Sequence, residues 1–140
     1  MTSKYCRAYV DGKILYDTIE VGWNERTPNF IAAKFRVKVG QRPMTIFVID
    51  RRLALEVFAW KKAADQLELN PHVNVSVIAS IFPSGEGGLL FADEIVWGTP
   101  HRELRVLAER LCESMISGKF KDYNDLGIIK IHTRKEDQEM

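Results

Sequence analysis

No stretch of this 140-residue chain approaches the roughly 18 consecutive apolar residues of a membrane-spanning helix. Paired metal-binding cysteines are missing too. Cys6 and Cys112 are the only two, they stand far apart, and they fit no Cys-x-x-Cys spacing. They read as small core residues of a reducing compartment. The opening Met1-Thr2-Ser3-Lys4-Tyr5 has none of the apolar region that a secretory leader carries. These absences predict a soluble, cytoplasmic protein with no membrane partner. An excess of one charge sign is lacking as well: the net charge is +1. Binding to a polyanion therefore needs a local patch, since the overall field contributes little.

Catalytic signatures are equally sparse. His72, His101 and His132 are isolated, with no His-x-x-x-His spacing. The run Ser84-Gly85-Glu86-Gly87-Gly88 is neither a phosphate-cradling loop nor a dinucleotide fingerprint, because no helix follows it. Asp93 and Glu94 are neighbours in an extended run, so alternation places them on opposite faces, where they cannot act as a pair. No internal repeat is visible at periods of about 20 to 50 residues. The expectation is a non-enzyme with no catalytic residues, no cofactor and no metal.

What the sequence does contain is 46% hydrophobic residues, enough for one domain with its own core. Residues 30–67 organise the rest. In residues 30–39, Phe35, Val37 and Val39 alternate with Lys34, Arg36 and Lys38. Successive strand side chains point to opposite faces, so one face is core and the other is a row of cations. The turn Gly40-Gln41-Arg42-Pro43 leads into a second strand at residues 44–49. A helix follows, with Asp50 as its N-cap and a stripe of Leu53, Val57, Trp60, Ala64 and Leu67; Asn70-Pro71 ends it.

Upstream, residues 4–22 read as two extended runs joined at Asp11-Gly12, a dipeptide favoured in hairpin turns. Residues 23–29 read as a polar loop. Downstream, residues 72–82 and 89–97 read as a hairpin around the Gly-rich turn. A second helix is expected with Thr99 as N-cap and Pro100 at its first position, a stripe of Leu104, Leu107, Ala108, Leu111 and Met115, and Gly118 as its stop. A polar connector (119–126), a short strand (127–133) and a charged tail (134–140) complete the chain. Locally paired strands with one helix between the third and fourth fit a five-stranded OB-fold-like barrel, mainly β with two helices. The expected organisation is a barrel over residues 1–98, a C-terminal helix-strand extension packed on it over 99–133, and the tail.

The segments Pro28-Asn29, Ala32-Ala33-Lys34-Phe35-Arg36-Val37, Ile46-Phe47-Val48 with Leu53-Ala54, the alternating Val73, Val75 and Val77, and Glu94-Ile95-Val96 together resemble the bacterial single-stranded-DNA-binding protein family and its primosomal relatives over roughly residues 5–98. The resemblance implies an OB barrel that binds single-stranded DNA. Here the long hairpin of that family shrinks to Gly40–Pro43, and Met44 and Asp50 stand where the family carries aromatics.

Single-strand binders combine a basic groove with aromatic platforms. Lys34, Arg36, Lys38 and Arg42 are the candidate phosphate contacts; Phe47 and Trp23 are candidate platforms, with Arg26 beside Trp23, and Phe82 and Phe91 flank the Gly-rich hairpin at an edge where this fold commonly holds ligands. The competing readings are a merely solvated basic face and aromatics that serve the core. Leu55 and Phe58 on the first helix, and Val106 and Ile116 on the second, fall off the apolar stripes. Either they pack against each other within the chain or they mark a homodimer or partner surface. The leading expectation is single-stranded DNA binding, with RNA as the other nucleic acid in view. The alternative is a protein–protein adaptor on the same fold.

Overall fold

The computed structural model of the protein describes residues 6–24, 27–68, 73–84, 87–98, 101–118 and 129–130. In chain order these form β1 (Cys6–Asn24), β2 (Thr27–Val39), β3 (Arg42–Val48), α1 (Arg51–Gln66), β4 (Asn74–Ser84), β5 (Gly87–Gly98), α2 (Arg102–Ile116) and β6 (Ile129–Lys130). The fold is mixed α/β. The five long strands run in the order β2-β3-β5-β4-β1, and β1 pairs again with β2, so the sheet closes in a ring. All neighbours are antiparallel except β3 and β5, which meet in parallel at Ile46–Leu90 and Phe47–Phe91. The two-residue β6 adds in parallel to β1 at Gly22 and Trp23.

Asp11-Gly12 is not a turn. β1 is one continuous strand of 19 residues that runs through it. Its first half pairs with β4, Gly12 facing Val75, and from Lys13 onward it pairs with β2. Gly12 sits where the two pairings converge. A Cβ there would lie 2.3 Å from the Lys38 carbonyl oxygen, so the residue is glycine because another backbone comes close. Between Leu15 and Glu20 the register with β2 shifts. Thr18 holds this irregularity: its hydroxyl donates to the Leu15 carbonyl at 2.6 Å and accepts from the Arg36 N–H at 2.8 Å. The turn between β2 and β3 is shorter than expected. Gly40 (φ 64°) and Gln41 form the loop, and Arg42 and Pro43 already belong to β3.

The inward residues of the ring are those the alternation marks: Phe35, Val37, Ile46, Val48, Val75 and Val77 are essentially inaccessible. α1 starts at Asp50, whose carboxylate accepts the Leu53 N–H at 3.0 Å. It packs on β1, β2 and β3 on one side and on α2 on the other. This double cover buries Leu55 and Phe58 inside the chain, so the internal alternative holds for both. Burying a leucine such as Leu55 contributes about 1.5–3 kcal/mol. α1 ends at Gln66, before Asn70-Pro71, which lie outside the described residues.

α2 begins later than expected. Its N-cap is His101, whose Nδ1 accepts the Leu104 N–H at 3.3 Å. Thr99 and Pro100, expected to start it, lie outside the described residues, as do the connector and the tail. Gly118, with φ 76°, ends it by donating its N–H to the Met115 carbonyl at 3.2 Å. No described helix is long and apolar enough to cross a membrane.

Candidate nucleic-acid interface

β2 presents Lys34, Arg36 and Lys38 on the outside of the ring, all exposed, while Phe35 and Val37 fill its inside. Register carries this face around the sheet. Lys34 stands opposite Phe47 of β3, Phe47 opposite Phe91 of β5, Phe91 opposite Ser80 of β4, and Ser80 opposite Arg7 of β1. One cross-strand row thus runs cation, ring, ring, hydroxyl, cation.

The rings touch. Phe47 and Phe91 have centroids 5.6 Å apart, and Phe82 packs edge-on against Phe91 at 4.9 Å. All three are half-buried, with part of each ring open to solvent. Lys13 of β1 faces Lys38 and lengthens the basic row beyond β2. Two like charges held opposite each other are mutually unfavourable. Glu20 lies 3.7 Å from Lys34, with both side chains well exposed; such a pair contributes little and exchanges readily.

The other candidates fall elsewhere. Arg42 pairs with Val39 and shares the parity of the inward Met44, Ile46 and Val48, so it emerges at the end of the ring and off the row's face. Arg26 lies outside the described residues, and only the backbone of Trp23 is described. Val106 of α2 is 43% exposed, whereas Ile116 packs partly against the core.

Beside the phenylalanines a groove of about 540 Å³ opens, its lining including Ile49, Asp50, Ser80, Phe82, Phe91 and Asp93. Asp93 reaches it through a β-bulge. Ile78 pairs with Glu94 and Ala79 with Ala92, which leaves Asp93 as the extra residue of β5. The opposite-face expectation for Asp93 and Glu94 fails for this reason: both are exposed. Ser80 donates its hydroxyl to Asp93 Oδ2 at 2.6 Å. The sequence reading missed Asp93, because a bulge breaks the two-residue period from which faces are read. The contact of Phe91 with Phe47 was not readable either, since it depends on the parallel β3–β5 pairing.

A second aromatic cluster joins the two helices to β5. Trp60 and Trp97 stack with centroids 4.7 Å apart and planes 6° from parallel. Trp97 Nε1 donates to Glu56 Oε2 at 2.5 Å, and Arg105 donates to the Trp97 carbonyl at 2.7 Å while lying over the Trp60 ring. Burial pushes the Glu56 carboxyl up, against the opposing pull of the indole N–H and Arg52. Burial, then the Glu56 charge, pushes the Cys112 thiol up as well, which disfavours a reactive thiolate. Among the described residues, no three or more His, Cys, Asp or Glu side chains converge to hold a metal. No protein-family model matches the chain, and no curated protein matches it.

Proposed function

We propose that this protein is a non-catalytic binder of single-stranded nucleic acid, DNA first, built on an OB-fold barrel. The observation that carries the reading is the cross-strand row, where the β2 cations adjoin the open Phe47–Phe91–Phe82 cluster. The strand order β2-β3-β5-β4-β1, closed by β1–β2, with one helix between β3 and β4, supports it as the order of that fold.

In this mechanism the Lys34, Arg36 and Lys38 side chains neutralise successive phosphates and release their counterions. Bases turn inward across the sheet and stack on Phe47 and Phe91, each stack contributing about 1–3 kcal/mol. The basic row alone is sequence-neutral, because phosphate contacts position a strand without reading it.

The test is a fluorescence-anisotropy titration with labelled oligo-dT at two salt concentrations. Binding at micromolar protein is expected in low salt, with log affinity falling by about 0.7 per neutralised phosphate for each tenfold rise in salt. No binding in low salt ends the proposal. The same titration with oligo-rU separates DNA from RNA. The adaptor alternative loses two of its anchors, since Leu55 and Phe58 are consumed within the chain.

A further inference from the structure

The groove beside the phenylalanines differs from the basic row in one respect: its polar side chains accept hydrogen bonds. We propose that it reads one base of the bound strand and selects guanine, with the Asp93 carboxylate as the reading group; this rests on the nucleic-acid proposal above.

Position comes first. Adjacent strands lie about 4.8 Å apart, so the step from Lys34 through Phe47 and Phe91 to Ser80 spans roughly 14 Å. A backbone held over β2 therefore places a base over β5 and β4, where the groove opens. At about 540 Å³ the groove falls within the ordinary size of small-ligand sites and accommodates a purine. Phe91 and Phe82, packed edge to face, form a platform and a wall.

Chemistry comes second. An ionised carboxylate accepts and cannot donate, and it has about four acceptor positions. The Ser80 hydroxyl occupies one position on Asp93 Oδ2 and fixes the group. Since the Ser80 proton is spent on Asp93, Ser80 offers the base mainly an acceptor. Asp50, at the other rim, has one oxygen on the Leu53 N–H and is also an acceptor. The groove thus suits a ligand edge made of donors. Guanine has two adjacent donors, N1–H and the N2 amine, which match the two oxygens of one carboxylate. Adenine and cytosine set a ring acceptor beside their amine, and thymine sets carbonyls on both sides of its single N–H. Each of these brings an acceptor against the carboxylate. The same negative charge keeps phosphates out of the groove and on the lysine side, which orients the strand.

The bulge supports this assignment. It takes Asp93 out of the alternation that would otherwise set its direction, and bulges recur where a side chain is re-aimed beside a site.

Three labelled strands test the proposal at fixed low salt: oligo-dT, the same strand with one central dG, and the same strand with deoxyinosine there. Inosine keeps N1–H and lacks the N2 amine. The dG strand is expected to bind about tenfold tighter than oligo-dT, and the inosine strand to lose most of that gain. Asp93→Asn is expected to erase the preference, with the dG and oligo-dT strands converging in affinity because the charge that disfavours thymine's carbonyls is gone. Equal affinity for all three strands overturns base reading while leaving strand binding intact. A dG preference that survives Asp93→Asn overturns the role of Asp93. Failure of every strand to bind removes the underlying nucleic-acid proposal as well. The inosine strand keeps the test decisive should Asp93→Asn fail to fold.

Discussion

The Trp60–Trp97 pair and the Phe47–Phe91–Phe82 group both set aromatic rings near cations, and the two clusters have opposite character. At the helix end, Trp60 and Trp97 are 2% and 6% exposed, and the polar atoms around them are satisfied: the Trp97 indole N–H by Glu56, its carbonyl by Arg105, whose guanidinium also covers Trp60. On the sheet, Phe47, Phe82 and Phe91 keep part of their rings in solvent, and the flanking lysines and arginine extend from an exposed strand. The first cluster is a joint that fixes α2 to α1 and β5. The second keeps its cations exposed and its rings partly open, which is what the proposed strand binding would use. Residue type alone does not separate a buried joint from an open face; the degree to which its polar atoms are already used does.

The comparison breaks most sharply at the joint. Trp97→Ala is expected to cost about 3–5 kcal/mol of stability by urea unfolding, with oligo-dT affinity per folded molecule unchanged. Equal melting of Trp97→Ala and wild type would show that the stack carries no structural weight. The triple change Lys34→Glu, Arg36→Glu, Lys38→Glu should do the reverse. Stability stays near wild type, binding collapses, and the salt slope of any residual binding is shallower by about two units. Phe91→Ala should weaken binding by about 1–3 kcal/mol at constant salt, while costing the fold less than Trp97→Ala does.

The smallest effect concerns pH. Burial holds the Glu56 carboxyl above its ordinary value of 4.5. Between the two values the folded protein binds more proton than the unfolded chain, so this group makes stability fall as pH rises through that window. Glu56→Gln keeps an oxygen for the Trp97 indole and removes the ionisation. Its stability should exceed wild type at neutral pH, and the gain should fade as pH falls toward 4.5, as read from paired melts. A gain that does not change with pH would assign the effect to packing.

Where a single periodicity governed a segment, the sequence was legible. β2 reads correctly because both of its faces are consistent, and the stripes of α1 and α2 name residues that are buried or packed on the core. Difficulty arose where one residue met two demands. Gly12 looks like a turn glycine, but its missing Cβ serves a close approach between strands. Leu55 and Phe58 look surplus because a stripe describes one buried side, and α1 has two. Arg42 follows the inward parity and leaves the basic face, which the hairpin register decides and the local sequence does not. For the site, the cations were visible along one strand. The contact between Phe91 and Phe47 was not, because it depends on a pairing between segments far apart, and Asp93 was not, because it depends on a bulge.

The continuity of β1 has a consequence for how the chain assembles. β1, β2 and β3 form a local meander, and β4 and β5 form a local hairpin, so each set pairs over short loops. Ring closure instead requires the first half of β1 to find β4, with β2, β3 and α1 between them in sequence. Such distant pairings carry the loop-closure entropy that slows folding toward milliseconds to seconds. The meander and the hairpin are thus the local units, and the β1–β4 seam, which meets the β1–β2 pairing at Gly12, is the distant pairing that joins them. A larger side chain at Gly12 meets the Lys38 carbonyl of β2, so it should strain the meander and the seam together and lower equilibrium stability by urea unfolding.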